Sequence, residues 1–343
     1  MSNIASILKL ARQRRAADVH IVAGSPVLFR IKGELQPVTR EVLDAKMTKE
    51  LTYSMLNPEQ VARFEDEYDH DFMMADDDRN RYRVNVAFND GAVGAVVRLL
   101  DSAPMNLDQI RVPPIVRQFT QARKGLILIT GATSEGKTTT MAAMIDEINR
   151  TQRKHIITIE DPIEYVHTNK QSVVRQREIG KDTKSFSRGL RAALRQDPDL
   201  IAIGEMRDYE TIKIALTAAE TGVLVLSTIH VISIDKNIER FLAYAPDGSD
   251  GHMRRFLSEA LVGVIHQELL TPIDGGKRLA VEILVTTDAV RNVMRNRGTF
   301  HLRNVIATGQ RYGMRSMKQS LDELMDEGVI QDAVYNRVLE NYS

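Results

Sequence analysis

Apolar and polar positions follow one pattern in the first hundred residues and another in the rest of the chain. The first part has short apolar segments separated by turn signals and by stretches with helical spacing. It predicts helices over 4–16 and 48–66 and strands at Val19–Val22, Val27–Ile31, Arg81–Phe88 and Gly94–Leu100. The last two strands flank Asn89-Asp90-Gly91, a strong hairpin signal. Residues 1–100 are therefore predicted to form a small α/β domain.

A proline-containing stretch, 101–114, predicts a linker. Beyond it, apolar segments alternate with helical ones. The predicted strands are Gly125–Thr130, His155–Glu160, Leu200–Gly204 and Val223–His230, and the predicted helices are 138–150, 184–195 and 209–221. Such alternation is typical of a parallel sheet with helices on both faces, here over 115–285. From 286 to 343 the pattern is mostly helical and ends in a helix over 317–341.

Composition narrows the classes of function. The length of 343 residues suits about two domains, and 43% hydrophobic with 27% charged residues suits a globular protein. Lysine and arginine (46) balance aspartate and glutamate (46), which counts against a dedicated nucleic-acid binder. The absence of cysteine excludes disulfides, thiolate catalysis and cysteine-ligated metal sites.

Two further absences concern the membrane. No apolar run approaches the roughly 18 residues of a membrane-spanning helix. The basic residues near the amino terminus follow short apolar stretches, the reverse of the order in a signal peptide. We therefore expect a cytoplasmic protein with no direct membrane insertion.

The segment Gly131–Thr138 reads Gly-Ala-Thr-Ser-Glu-Gly-Lys-Thr and fits the phosphate-binding pattern G-x-x-x-x-G-K-[ST]. An apolar strand precedes it and a helical pattern follows it, as that loop requires. Glycines let backbone N–H groups approach phosphate oxygens, the lysine reaches the β- and γ-phosphates, and the final threonine ligates Mg²⁺. We expect ATP to be bound by Thr133, Ser134, Glu135, Gly136, Lys137, Thr138 and Thr139.

Glu135 is unusual inside such a loop. At an effective dielectric of about 20 and about 6 Å, a carboxylate opposes a unit of phosphate charge by roughly 3 kcal/mol. Either this side chain points away from the loop interior, or nucleotide affinity is reduced.

Three predicted strands end in polar residues where a parallel sheet binds ligands. Glu160 ends the second strand and Glu164 follows it. Both could activate water as a general base, and a solvated acidic turn is the alternative. Glu205 ends the third strand in the Walker B arrangement, where a carboxylate reaches Mg²⁺; a helix-capping acid is the alternative. His230 ends the fourth strand and suits either a structural role or contact with the γ-phosphate.

Arg83 and Arg98 lie on the strands of the first domain, where their local pattern indicates a charged strand face.

Longer motifs carry a family resemblance. Ile156–Glu164, Gln176–Gly180, Leu190–Asp199 and Gly204–Asp208 resemble the type II/IV secretion ATPases that power type IV pili, and most closely the pilus retraction ATPases. Ala17–His20 and Arg30–Gly33 resemble that family's PAS-like amino-terminal domain. Ala289–Arg295 resembles its carboxyl-terminal retraction motif. The family's assembly ATPases carry a longer amino-terminal region and a four-cysteine zinc module, so a cysteine-free chain that starts at the PAS-like domain favours the retraction type.

The resemblance implies a PAS-like domain followed by a RecA-like P-loop ATPase domain with a helical end. It implies that Glu164 is the general base, Glu205 the Walker B residue and His230 the histidine of the family's His-box. It implies that Arg83 and Arg98 reach the nucleotide in a homohexamer that acts on an inner-membrane pilus platform protein, and that the motor drives twitching-type motility. The neutral charge and low aromatic content separately lead us to expect no nucleic-acid binding.

The chain departs from the family pattern at three places. The family usually has Gly-Ser at Ser134-Glu135, His at Val223 and Thr at Val231. These differences leave open a weakly active or accessory paralogue beside the primary retraction motor. A nucleic-acid translocase is the third hypothesis, opposed by the neutral charge and the 5% aromatic content.

Overall fold

A computed structural model describes residues 3–76, 80–100, 103–231, 233–246, 250–296, 301–340 and 342. The chain divides into two compact units, Met1–Ala103 and Pro104–Ser343. The predicted linker, 101–114, begins at two residues outside the described ranges. Its remainder, from residue 104, belongs to the second unit, where Leu107 is buried in a core cluster with Val116 and Phe119. Residues 104–114 are therefore part of a packed unit, and the linker prediction is wrong for them.

The first unit is one six-stranded sheet with helices packed on it. Its helices are α1 (Ile4–Gln13), α2 (Ala45–Tyr53) and α3 (Pro58–Glu67). Its strands are β1 (Asp18–Ile21), β2 (Leu28–Ile31), β3 (Glu34–Pro37), β4 (Asp69–Ala75), β5 (Arg81–Asn89) and β6 (Ala92–Leu100). They lie in the order β3-β2-β1-β6-β5-β4, with antiparallel pairing throughout.

Local chemistry explains most of these boundaries. The single helix predicted over 48–66 is two helices, because Asn57 caps α3 with a complete capping box and Pro58 occupies its first turn. The predicted hairpin is present, with Asp90 (φ 48°) and Gly91 (φ 76°) in its turn. The patterns did not predict β3 or β4. The four residues of β3 are all exposed, so they carry no apolar alternation.

The second unit is a seven-stranded sheet covered by helices on both faces. Its strands are β7 (Gly125–Thr130), β8 (His155–Glu160), β9 (Val173–Glu178), β10 (Leu200–Ile203), β11 (Leu224–Ile229), β12 (Leu261–Leu270) and β13 (Arg278–Val285). Its helices are α4 (Pro114–Phe119), α5 (Lys137–Thr151), α6 (Phe186–Ala193), α7 (Tyr209–Thr221), α8 (Ile234–Ala243), α9 (Asp250–Ala260), α10 (Asp288–Asn296), α11 (Leu302–Thr308), α12 (Met317–Asp326) and α13 (Asp332–Glu340).

The strand order is β13-β12-β7-β11-β10-β8-β9. All neighbouring pairs are parallel except β12 and β13. The central strands read as unbroken apolar runs because helices cover both faces, and every residue of β7, β10 and β11 is buried. Each isoleucine or leucine buried there contributes about 1.5–3 kcal/mol to stability. The carboxyl ends of β7, β8, β10 and β11 consequently form one rigid edge.

The predicted α/β class and the helical carboxyl-terminal end are confirmed. The patterns missed β9 and the β12–β13 hairpin, and the terminal helix predicted over 317–341 is two helices, α12 and α13. Within the described ranges, no helix combines the length and apolarity needed to cross a membrane.

Candidate nucleotide site

The segment Gly131–Gly136 joins β7 to α5 and has the backbone of a phosphate cradle. Gly131 has φ 148°, and a Cβ there would lie 2.5 Å from the carbonyl oxygen of Gln267. Gly136 has φ 78° and caps the amino end of α5, so only glycine suits both positions. The loop thereby presents the amino end of a 15-residue helix, whose backbone N–H groups and dipole favour an anion. Thr138 lies in the first turn of that helix.

Ser134 adopts the left-handed region with φ 68°. A side chain in this conformation costs roughly 1–2 kcal/mol, because Cβ crowds the following carbonyl. The family-like glycine would carry no such cost. The departure at this position is therefore a local strain in the loop.

Lys137 is buried, and its ammonium group has three partners. Nζ donates to the carbonyl oxygens of Gly131 (3.0 Å) and Ala132 (2.5 Å) and to Nδ1 of His230 (3.1 Å). Burial lowers the pKa of Lys137, while the charges of Glu205, Glu135 and Glu164 oppose that shift. The negative charges of three carboxylates therefore act on the Lys137 ammonium group.

His230 lies between Lys137 and Glu205. Since an ammonium group can only donate, Nδ1 is the acceptor and Nε2 carries the proton. Nε2 faces the Glu205 carboxylate at 3.4 Å. Burial and the positive charge of Lys137 lower the pKa of His230 although Glu205 raises it, which favours this neutral tautomer. The strand order explains the placement, because β11 lies between β7 and β10.

Glu205 also pairs with Arg207, whose Nη2 lies 2.7 Å from Oε2. Burial by itself would raise the pKa of Glu205, but Arg207, His230 and Lys137 outweigh it, so the pKa is lowered. The Glu205 carboxylate therefore stays ionised at neutral pH. Its position follows β10, as the Walker B pattern predicts.

Glu160 and Glu164 lie in different surroundings. Glu160 is buried, and its Oε1 accepts from the Thr158 hydroxyl (2.6 Å) and from Nε2 of Gln176 (3.0 Å). Glu164 is exposed, and within the described part of the chain its carboxylate makes no hydrogen bond or ion pair. Of the two predicted bases, only Glu164 has a carboxylate that a water molecule could approach freely.

The segment that carries Glu164 is fixed against α5. Tyr165 shares a hydrogen bond of 2.8 Å with the hydroxyl of Thr139, and Gln176 donates to the Tyr165 carbonyl at 2.8 Å. The Thr133 hydroxyl lies 3.5 Å from Nδ1 of His230. These hydrogen bonds therefore fix the segment that carries Glu164 relative to α5 and β9.

Glu135 is hydrogen-bonded to β12 through both its side chain and its backbone. Its carboxylate accepts a hydrogen bond from the Leu269 backbone N–H, and its carbonyl accepts one from Nε2 of Gln267 at 2.5 Å. The side chain thus points toward β12 and away from the loop interior. Of the two alternatives, the outward orientation is the one observed.

Arg83 and Arg98 belong to the first unit. They are direct cross-strand partners on β5 and β6, and both side chains are exposed. Asp18 pairs with Arg98 (2.9 Å) and Arg30 (3.5 Å), so one face of the sheet carries an aligned row of three arginines with a buried aspartate between two of them. Arg83 makes a separate and long contact with Asp71, in which Nη2 lies 4.0 Å from Oδ2.

Comparison with known proteins now identifies the family. Residues 1–339 match the family described as type II/IV secretion system protein. The chain belongs to this family. It is 39% identical over 328 residues to the type IV pilus retraction ATPase PilT of Pseudomonas aeruginosa, covering 96% of this chain and 95% of that protein.

Other relatives extend the comparison. A twitching motility protein of Neisseria gonorrhoeae is 40% identical over 342 residues, covering 98% of this chain and 91% of that protein. The crystal structure of the pilus retraction motor PilT with bound ADP superposes with a TM-score of 0.92 at 39% identity, covering 98% and 97% of the two chains. The resemblance to the pilus retraction ATPases is therefore confirmed, and this member of the secretion family is a nucleotide-binding ATPase.

The family departure at Val223 lies away from the loop. Val223 immediately precedes β11, whereas His230 immediately follows it. At about 3.3 Å per residue the two are roughly 20 Å apart along the strand. Both Val223 and Val231 pack with the apolar core. Only Ser134 and Glu135, of the departures named above, belong to the phosphate-binding loop itself.

Four residues of this edge were missed as site residues by the sequence reasoning. Arg207 pairs with Glu205, Gln176 holds Glu160, Tyr165 bonds Thr139 and Gln267 bonds the loop. Arg207 and Gln176 lie within motifs that carried the resemblance, so a signal existed for them. Gln267 lies on a strand that no pattern predicted.

Proposed function

We propose that this chain is a Mg²⁺-dependent ATPase motor that powers type IV pilus retraction as a cytoplasmic homohexamer acting on an inner-membrane platform protein. The observation that carries the proposal is the convergence of Lys137, His230 and Glu205 beside a glycine-shaped loop. The names of relatives that align along nearly their whole length support the pilus role.

In this proposal each side chain of the edge has one task. Lys137 leaves its own loop carbonyls to meet the β- and γ-phosphates, and the loop N–H groups bind the same oxygens. Glu164 accepts a proton from the attacking water. His230 keeps its Nε2 proton toward Glu205 and thereby couples the γ-phosphate end of the site to the Walker B carboxylate.

Magnesium fits the donor set that this edge offers. The Thr138 hydroxyl and the ionised Glu205 carboxylate are hard oxygen ligands of the kind Mg²⁺ prefers. When bound, the ion would neutralise charge on the β- and γ-phosphates. Glu205 would hold it directly or through water.

In the proposed homohexamer, Arg83 and Arg98 stabilise charge on the transferring phosphoryl group from the first unit. Arginine suits this role because it presents several donors in a fixed planar fork. Coupling between hydrolysis and movement would then pass through the amino-terminal unit.

The experiment is steady-state ATPase on the purified chain together with its mass in solution. We expect Mg²⁺-dependent turnover, a particle six times the 38.6 kDa chain, and a fall in kcat/KM of at least about 100-fold in Lys137→Ala. The matched control is Lys154→Ala, which removes a lysine paired with Asp199 at the opposite end of β8. Wild-type turnover in Lys137→Ala would overturn the proposal.

A second candidate is an accessory ring subunit with weak turnover. The strained Ser134 in the loop favours it. The same assay separates the two. Tight nucleotide binding with turnover near background, raised by Ser134→Gly and Glu135→Ser together, would support the accessory role.

A further inference from the structure

The outer side of the phosphate-binding loop rests on four consecutive residues of β12, His266–Leu269. Gln267 and Leu269 bond the backbone and the carboxylate of Glu135. The carbonyl of Gln267 sets the tight space at Gly131. His266 is paired in register with Thr130, the last residue of β7 before the loop. This stretch of β12 therefore forms the wall against which the loop is seated.

The wall is tied to the carboxyl-terminal end of the described chain. His266 is fully buried, with Nδ1 3.0 Å from the Thr130 hydroxyl and Nε2 2.5 Å from the Tyr342 hydroxyl. The Tyr342 hydroxyl also donates to Oε1 of Glu268 at 3.1 Å. His266 and Glu268 are two residues apart on the strand, so their side chains lie on the same face of the sheet and meet at one hydroxyl group.

The hydrogen-bond directions are mutually consistent. The Glu268 carboxylate accepts from Tyr342, so the phenol oxygen accepts in turn from Nε2–H of His266. Nδ1 is then an acceptor for the Thr130 hydroxyl. Burial and the negative charge of Glu268 raise the pKa of Tyr342, so the phenol keeps its proton and remains a donor. A directed chain of polar groups runs from the strand before the loop to the carboxyl-terminal tyrosine.

Tyr342 is itself held on both sides. Its N–H donates to the Leu339 carbonyl at 3.0 Å, and its own carbonyl accepts from Nη1 of Arg303 at 3.1 Å. Its ring meets His266 edge-on, with centroids 5.7 Å apart. The tyrosine is therefore positioned by backbone contacts and can orient the histidine, since a free imidazole at that site could turn between two ring orientations.

We infer that Tyr342 is a positioning residue for nucleotide binding: through His266 and Glu268 it fixes the β12 wall and hence the geometry of the phosphate-binding loop. This inference rests on the proposed nucleotide site at that loop. It assigns the carboxyl-terminal tyrosine an effect on nucleotide affinity rather than on the chemical step, because none of the three side chains reaches the catalytic carboxylates.

The test compares Tyr342→Phe with Tyr335→Phe in the full chain. Both variants remove one phenol hydroxyl from the same end of the chain, since Tyr335 donates to Asp322 at 2.7 Å, away from the loop. The readouts are the Kd for ADP by titration calorimetry, and KM and kcat for ATP hydrolysis. We expect Tyr342→Phe to raise Kd and KM about three- to tenfold with kcat within about twofold, and Tyr335→Phe to leave all three unchanged.

A second variant tests the route. Thr130→Val removes the hydroxyl at the other end of the chain of bonds while keeping its volume. If Tyr342 acts through His266, the double variant should match the weaker-binding single variant, because the route is already broken. Equal ADP affinities in Tyr342→Phe and Tyr335→Phe, or additive effects of Thr130→Val and Tyr342→Phe, would overturn the inference. Failure of the proposed function would look different, because the wild-type chain would then hydrolyse no ATP. The ADP Kd of the variants would still test whether Tyr342 affects nucleotide binding.

Discussion

The carboxylate of Glu135 accepts a hydrogen bond from the backbone N–H of Leu269, across the boundary between the phosphate-binding loop and β12. An acidic residue that would oppose a triphosphate from inside the loop instead fastens the loop to its neighbouring strand. Its charge is still sensed at Lys137, whose pKa it helps to raise against burial. Glu135 therefore combines a structural bond with a residual electrostatic cost for nucleotide.

Glu135→Gln should keep the hydrogen bond from the Leu269 N–H and remove the electrostatic repulsion of the nucleotide. The amide oxygen can still accept from Leu269, while the repulsion lost is about 0.5 kcal/mol for a unit charge at about 8 Å in a water-like dielectric. We expect the ATP KM to fall about twofold at low salt and the gain to vanish at high salt. Glu259→Gln, on the exposed face of α9, is the control and should leave KM unchanged. A gain that persists in high salt would argue against an electrostatic origin.

Ser134→Gly should stabilise the second unit. Serine pays a steric cost at φ 68° that glycine does not, and part of the gain is offset by the larger entropy of glycine in the unfolded chain. We expect the free energy of unfolding in urea to rise by up to about 1 kcal/mol. Lys213→Gly on the exposed face of α7 is the matched control and should lower it by a similar amount. Loss of stability in both variants would show that Ser134 is not strained.

Arg83→Ala and Arg98→Ala should both lower turnover, but only Arg98→Ala should lower the stability of the protein. Arg98 is bonded at 2.9 Å to the buried Asp18, so its removal leaves that carboxylate with Arg30 alone and should cost roughly 1–2 kcal/mol in stability. Arg83 has only a 4.0 Å contact, so its removal should leave stability unchanged. If both arginines act on the nucleotide, both variants lose at least about tenfold in kcat.

The control for the arginine pair is Arg63→Ala, which breaks an exposed i,i+4 pair with Glu67 in the same unit. It should change neither unfolding nor turnover. Full activity in Arg83→Ala would remove this residue from the proposed site, whatever Arg98→Ala does.

His167 should make stability depend on pH. Burial lowers its pKa from 6.5 to about 4, Asp146 opposes the shift and Lys170 adds to it. Below pH 6.5 the unfolded chain binds a proton here while the folded chain does not, so the free energy of unfolding falls as the pH drops toward 4. The full difference is up to about 3 kcal/mol. His167→Phe should abolish this contribution.

The measurement is urea unfolding of both proteins between pH 4 and 8. At pH 8 the imidazole is neutral in both states, so the comparison there gives the packing effect of the substitution alone and serves as the reference. The difference between wild type and variant should then change by up to about 3 kcal/mol toward pH 4. A difference that is constant over this range would contradict the assignment.

The elements around the loop were the most predictable part of the chain. β7, β8 and α7 match their predicted bounds. The two strands are apolar runs buried on both faces, and α7 begins after its cap Asp208 and ends before Gly222. The errors fall where tertiary contacts override local pattern. β3 is fully exposed, and β12 mixes apolar residues with His266, Gln267 and Glu268, whose polar groups find partners only in the folded chain.

The sequence alone determined the phosphate-binding loop and the polar residue at the end of each strand, since backbone stereochemistry and local periodicity act within a few residues. Strand order was decided only by the tertiary structure, because it depends on how crossovers pack helices onto the sheet. Chain order is β7, β8, β10, β11, yet β11 lies beside β7, and this alone puts His230 between Lys137 and Glu205. The contact of Glu135 with β12 has the same origin: the two partners are more than 130 residues apart in sequence, and no local pattern can relate them.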